Sequence, residues 1–182
     1  MSGIQTAQVV NATIYLNGKT LLGRAAEVKL PEITAAMKEH SALGMVGKFE
    51  LPAGFEKMEG EIVWNSFYAD VLKSQADIFT AYSLQCRSSW ELWSSQGRDR
   101  EAPLVTFLTV QFKSFPLGEF KQHEGVSLTT KFSCTYVKQV LDGQDILELD
   151  VLANIYKAGG RDLLSNYRCL LYTSPSPRDK RQ

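Results

Sequence analysis

The chain has 182 residues, 44% hydrophobic and 22% charged, which suits one ordinary domain able to bury a core. Twenty Lys and Arg against twenty Asp and Glu leave no net charge, so there is no basic excess to hold a phosphate backbone, and tight nucleic-acid binding is disfavoured. No charged start precedes an apolar run at the N-terminus, and no window approaches the ~18 consecutive apolar residues of a membrane span, so the expectation is a soluble protein made in a cytosol.

Val10, Ala12, Ile14 and Leu16 alternate with Asn11, Thr13 and Tyr15, the period of a strand with one buried face. Asn17-Gly18 follows, and this pair suits a type I′ hairpin turn because both central residues need positive φ. The predicted return strand has Ala26, Val28 and Leu30 on one side and Ala25, Glu27 and Lys29 on the other. Residues 31–40 fit two templates: Ile33, Ala36, Met37 and His40 match a helix, while Ile33, Ala35 and Met37 match a strand, and local propensity leans helical. "HSALGMVGKFELPAGF", His40 to Phe55, fits neither template. Leu43, Met45, Val46 and Phe49 are interrupted by Gly44 and Gly47, which leaves apolar side chains in need of a surface.

Alternation returns with Met58, Ile62 and Trp64 against Lys57, Glu59 and Glu61. "NSFYADVLKSQADIF" then predicts a helix with Tyr68, Val71, Leu72, Gln75 and Phe79 on one stripe and Asn65 or Ser66 as its cap. Tyr82, Leu84, Cys86, Trp90 and Leu92 keep one parity, as do Leu104, Leu108, Val110 and Phe112 beyond the polar turn "SSQGRDRE". Trp93 has the opposite parity to Trp90, which puts Trp90 in the core and Trp93 at the surface or on a neighbour. In "VSLTTKFSCTYVKQV", Val126, Leu128, Phe132, Cys134 and Tyr136 share one face, and Ser127, Thr129, Lys131, Ser133, Thr135 and Gln139 the other. A turn at Asp142-Gly143 leads to Leu147, Leu149, Val151, Ala153 and Ile155, alternating with Glu148, Asp150 and Asn154. "RDLLSNYR" predicts a short terminal helix packing Leu163, Leu164 and Tyr167. The sum is a mainly β chain, an antiparallel β-sandwich or barrel of about seven strands with one inserted α-helix.

The closing stretch "CLLYTSPSPRDKRQ" breaks this pattern, since Ser-Pro-Ser-Pro followed by mixed charges has the composition of a segment that does not pack. It resembles the translated read-through of a sequencing adaptor. The expected division is a folded domain over residues 1–168 and a disordered, non-native tail over residues 169–182.

The motifs that carry chemistry are missing. There is no Gly-rich phosphate loop, G-x-S-x-G elbow, H-E-x-x-H or C-x-x-C, and only His40 and His123 are available as imidazoles. Glu59 with Glu61, and Glu148 with Asp150, read as solvated carboxylates on wet strand faces. Cys86 and Cys134 read as small buried hydrophobes, and three cysteines without close spacing do not make a disulfide framework. No enzyme activity, metal or cofactor is expected.

The pieces "NATIYLNGKTLLGRAAEVKLPEI", "ALGMVG", "MEGEIVW", "SCTYVKQVLDGQDILELDVLANIYKAGG" and "RDLLSNYR" span Asn11 to Arg168. In this order they resemble the major tail tube proteins of contractile-tailed, P2-like bacteriophages and of R-type tailocins. The resemblance implies the phage tail-tube fold and a self-assembling structural protein. Its copies would form hexameric rings with sheets joined edge to edge, stacked into a hollow conduit for DNA ejection. The implied partners are further copies of the chain, a tail sheath protein, and tape-measure and baseplate or terminator proteins. DNA would pass through the lumen without tight binding, no membrane is involved, and the place is the virion tail after assembly in the host bacterial cytoplasm.

The resemblance also favours strand over helix for Ile33 to His40, extending a long hairpin. It sets Leu43, Gly44, Met45, Val46, Gly47 and Phe49 against an adjacent subunit or ring. Ser127, Thr129, Ser133 and Thr135, with Glu148 and Asp150, become candidates for a lumen or an outer wet face, because hydroxyls and carboxylates do not retain DNA; Lys131 runs against this. The chain end departs from the family's short basic-apolar ending. Two other readings stand beside this one: a monomeric ligand-binding β-barrel with an internal apolar cavity, and the tube of a tailocin or secretion-type injection machine, which neighbouring genes would distinguish.

Overall fold

The computed structural model of the chain describes residues 4–118 and 125–172. Among these residues twelve strands and two helices follow in order: β1 (Thr6–Leu16), β2 (Lys19–Thr20), β3 (Ala25–Lys29), β4 (Ala35–His40), β5 (Phe49–Phe55), β6 (Met58–Trp64), α1 (Ala69–Ala76), β7 (Tyr82–Ser94), β8 (Gly97–Phe112), β9 (Leu128–Leu141), β10 (Gln144–Asp150), β11 (Ile155–Ala158), β12 (Arg161–Asp162) and α2 (Ser165–Tyr172). The architecture is mainly antiparallel β with a helix inserted between β6 and β7, as the alternating patterns predict. The chain forms two compact units, the first from Met1–Tyr15, Leu84–Leu108 and Thr135–Gln182, the second from Leu16–Ser83 and Thr109–Cys134. No helix among the described residues is long and apolar enough to cross a membrane.

In the first unit the strands run β12-β11-β10-β9-β8-β7-β1. Its core holds Ile14, Leu84, Cys86, Ala102, Leu108, Val137 and Leu149, all buried. Val137 and Leu149 face each other directly across β9 and β10, joined by a turn in which Asp142 (φ 51) and Gly143 (φ 77) take the left-handed conformation expected of them.

The predicted long strand through Ile155 is interrupted. The Asp150 carboxylate accepts hydrogen bonds from the backbone N–H of Leu152 (3.0 Å) and Ala153 (2.9 Å), and this local closure turns the chain, so that β11 returns antiparallel to β10. The expected single face on β9 also changes. Leu128, Phe132 and Cys134 are buried, but the buried position then moves to Val137 and Tyr136 is only half-buried. Trp90 is likewise half-buried rather than core, and the polar turn before β8 contracts to Ser95 and Gln96.

The second unit holds β2 to β6, α1 and the adjoining parts of β7, β8 and β9. Asn17 (φ 47) and Gly18 (φ 78) make the predicted hairpin turn, and Asn17 is fastened to Ser83: its N–H donates to the Ser83 carbonyl (2.8 Å) and its side-chain oxygen accepts from the Ser83 N–H (2.9 Å). The return strand, however, is the two-residue β2. A turn closed by Arg24 N–H on the Leu21 carbonyl (3.1 Å) redirects the chain, and β3 pairs with β6 instead of β1. Asn11 (φ 57) breaks the alternation of β1, which leaves Val9 and Val10 exposed while Ile14 and Leu16 are buried.

Residues 35–40 are strand, so the tertiary pairing with β5 overrides the local helical preference. Helix α1 begins after Tyr68, which gives no side-chain cap, and neither Asn65 nor Ser66 caps it; Asn65 donates to the Gly23 carbonyl instead (3.4 Å). Asp77 ends it by accepting from the Phe79 N–H (3.0 Å), so Phe79 lies outside the helix and points to solvent. Helix α2 starts at Ser165, later than expected, and runs to Tyr172 with none of its residues buried; Leu163 and Tyr167 are exposed. Residues 173–182 of the expected tail lie outside the described residues.

The core of the second unit is set by β6 and β9, whose register pairs Gly60 with Phe132 and Trp64 with Leu128. Trp64 is buried, and its indole N–H donates to the Thr130 hydroxyl (3.1 Å), itself fully buried. Gly60 is required for steric reasons. A Cβ there would lie 2.4 Å from the Phe132 ring and 2.6 Å from the Lys29 carbonyl oxygen, and neither neighbour is a flexible chain end. Gly60→Ala is therefore expected to lower unfolding free energy by about 2–3 kcal/mol, read as a fall in the urea midpoint at unchanged slope.

Candidate functional site

The segment that asked for a surface forms an arm. Among the described residues strands β4 and β5 pair only with each other, in register Met37↔Pro52, Lys38↔Leu51, Glu39↔Glu50 and His40↔Phe49. A two-stranded hairpin is marginal in water on its own. Beyond the ladder, the His40 and Phe49 rings meet edge-on at 5.3 Å, Lys48 bonds Glu39 at 2.6 Å, which relieves the like charges of Glu39 and Glu50, and the Glu56 N–H donates to the Thr34 carbonyl at 2.9 Å.

At the tip, Gly44 (φ 87) adopts a conformation that favours glycine, and the Met45 N–H closes a turn on the Ala42 carbonyl (3.2 Å). Leu43 and Val46 are as open to solvent as free side chains, at 106% and 109% exposure, while Met45 and Phe49 are about half exposed. Met37 and Leu51, which sequence reasoning left out of this group, are exposed on the same arm. The alternation of β5 held the signal for Leu51, but its neighbours Pro52 and Gly54 hid the strand.

The second set of expected residues is divided. Ser127, Thr129 and Ser133 lie in the second unit, where Thr129 and Ser133 occupy the open face of β9 with Lys131 between them. Across from them on β6 stand Val63, Glu61 and Glu59, and β3 adds Lys29 beside Glu61 and Glu27 beside Val63. Lys57 and Lys113 both bond Glu59, whose carboxyl is held below the usual range by hydrogen bonds first from Lys113 and then from Lys57. The face is polar with charges of both signs interleaved, and Lys131 has Glu61 opposite it.

Thr135, Glu148 and Asp150 lie in the first unit. Asp150 closes the turn already described. Glu148 is a clustered carboxylate: Lys157 Nζ donates to it at 2.8 Å and the Tyr136 hydroxyl at 3.3 Å. On β7, Glu91 is buried and accepts from Gln8 (3.0 Å), Trp93 (2.8 Å) and Arg98 (2.9 Å), which hold its carboxyl below the usual range. Trp93, partly exposed, is thus tied to a neighbouring carboxylate on its own strand. Cys86 and Cys134 are free and buried, and burial pushes the Cys86 thiol up to about 11. Among the described residues, no three His, Cys, Asp or Glu side chains gather to hold a metal ion.

Residues 6–171 match the family model described as phage tail tube protein FII. The chain belongs to that family. This tail tube family member is 25% identical over 173 residues to the tail tube protein of Escherichia phage P2, covering 85% of this chain and 91% of that protein. It is 25% identical over 154 residues to the major tail tube protein of Serratia phage KSP20, covering 83% and 86%. A solved chain from the PVC sheath-tube complex of an extracellular contractile injection system, in the extended state, shares the fold with a TM-score of 0.53, at 9% identity and over 71% of this chain and 87% of that one. A chain from the sheath/tube terminator of the same system also scores 0.53, at 9% identity, covering 71% and 92%. Family membership makes the role of the chain structural, as a tail tube protein.

In this tube protein Glu148 acts on Tyr136. Burial first, and the adjacent Glu148 carboxylate second, push the Tyr136 phenol up to about 12 from its ordinary 10.0. A raised value means that stability is present in full below the unfolded pKa and is lost as pH rises through the folded one. Absorbance titration should find one tyrosine ionising near 12, with loss of stability between pH 10 and 12. Glu148→Gln should move that titration only part of the way back, because burial is the larger cause.

Proposed function

We propose that the chain is a self-assembling structural protein of the inner tube of a contractile phage tail, six copies to a ring and the rings stacked around a lumen through which DNA is ejected. The observation that carries this reading is the arm: a tube-family chain holds Leu43, Met45, Val46 and Phe49 in water on a hairpin paired only with itself. Burying a Val or Leu side chain is favourable by about 1.5–3 kcal/mol, so a surface that covers this tip gains several such terms at once. A second copy of the chain is that surface. Leu43, Gly44, Met45, Val46, Gly47 and Phe49 form the subunit-interface loop, and Gly44 and Gly47 let the two backbones approach closely. The contact is heterologous, one patch meeting a different patch, and it closes into a ring only where the rotation permits.

The role is mechanical, with no reaction assigned. Residues 1–168 act as the tube domain. A tail sheath protein surrounds the tube, a reading supported by the fold shared with a chain of a sheath-tube complex. Tape-measure and baseplate or terminator proteins meet the tube inside and at its ends, and the place is the virion tail, after assembly in the host bacterial cytoplasm. The interleaved face around Thr129, Ser133, Glu59 and Glu61 suits a wall that DNA slides past, since its lysines already have carboxylates beside them and offer phosphates little attraction.

Negative-stain microscopy of the purified chain should show rings or tubes. Met45→Asp, and separately Leu43→Asp with Val46→Asp, should abolish them while circular dichroism and Tm stay near those of the parent, because these side chains contribute little to the fold of one copy. Unchanged assembly in both variants would remove the loop from the interface.

A further inference from the structure

Helix α1 is poorly satisfied where it sits. Gln75 is fully buried in the second unit, and among the described residues neither its Oε1 nor its Nε2 has a hydrogen-bond partner. A primary amide withdrawn from water without partners destabilises the state that buries it. The helix start offers no side-chain cap, since Tyr68 stands at the N-cap position.

The flanks of the helix hold it little better. Phe67 before it and Phe79 after it are both exposed. Asp70 is tied to Arg24 at 2.7 Å, but the Asp70 side chain is 64% exposed, and such pairs contribute little. Along one side, Asp70, Val71 and Ser74 line an open cleft of about 480 Å³ that they share with Leu16, Leu21 and Arg24. Among the described residues α1 is held by the burial of Val71 and Leu72, with the Arg24 guanidinium lying over the Tyr68 ring at its start, 5.1 Å from the ring centre.

We infer that α1 is a releasable element: residues 69–76 detach from the second unit in a local opening that leaves β6 and β9 paired, and the buried carboxamide of Gln75 sets how readily this happens. Detachment returns that carboxamide to water, which offsets part of the loss of burial at Val71 and Leu72. It also brings those two residues into the open between Phe67 and Phe79, as an apolar segment absent from the closed form. β6 and β9 have no such weakness, because Trp64 and Thr130 satisfy each other and Gly60 and Phe132 interlock. The inference rests on the geometry of α1 and not on the assembly proposed above.

Native-state hydrogen exchange on the full chain tests it, followed at the amides of residues 72–76 and at Ile62 and Phe132. The α1 amides should exchange at least about tenfold faster than the two strand amides. Gln75→Met, which keeps the length of the side chain and removes its polar atoms, should slow α1 exchange by about tenfold and leave β6 and β9 unchanged. Gln75→Leu is the second variant, in case the thioether packs badly. Two results overturn the inference: α1 exchanging together with β6 and β9, or both variants accelerating α1 exchange, the outcome if an internal water satisfies the carboxamide.

Discussion

The pairing of β6 with β9 is the constraint on which the rest of the second unit depends. Its register seats Gly60 against Phe132 with no room for a Cβ, so a slip by one residue would drive side chains into the Phe132 ring and turn Trp64 away from Thr130. Once that register is set, β3 has an edge to pair with, and the alternation of β6 puts Met58, Ile62 and Trp64 inward and its glutamates outward. The polar face around Glu59 and Lys131 is therefore a by-product of the core packing behind it. Whatever passes or docks against that face meets an arrangement held from within.

The arm obeys the opposite logic. The β6–β9 pair is over-determined by packing, whereas the contacts that fasten β4 and β5 include their own ladder, an aromatic contact and an exposed ion pair. Exposed apolar residues and unpaired strand edges are usually kept off the surface of a monomer, because they invite association. The two parts divide the surface between them: the β6–β9 sheet presents a fixed polar face, and the hairpin carries exposed apolar residues.

How far this was legible in the residues depends on the range of the force involved. Hairpin turns at Asn17-Gly18 and Asp142-Gly143 were readable because the left-handed conformation is a local demand. The alternation of β6 and of the first half of β9 was readable because burial has a period of two. The partner of β3 was not, since β1 and β6 offer equally apolar edges and the choice turns on the Leu21 to Arg24 turn. The break after β10 was missed because Asp150 looked like one more wet carboxylate, although an Asp followed by two free N–H groups is a known turn former. The exposure of Leu43 and Val46 was legible as apolar side chains on a glycine-broken segment, and the sequence carries no pattern that names what would cover them. The spacing of Gln75 places it on the amphipathic stripe of α1, and position alone does not reveal that its amide lacks partners among the described residues.

The fastening of Asn17 to Ser83 bears on how the chain ages. An asparagine followed by glycine is a site of spontaneous deamidation, in which the glycine nitrogen attacks the side-chain carbonyl carbon, ammonia leaves, and water opens the cyclic imide to aspartate or isoaspartate. Here the side-chain oxygen of Asn17 is engaged by the Ser83 N–H at 2.9 Å, and its own N–H is bound to the Ser83 carbonyl at 2.8 Å, so the carboxamide is not free to swing onto Gly18. The hydrogen bonds that close the end of the first hairpin therefore also hold the carboxamide away from the geometry that imide closure requires.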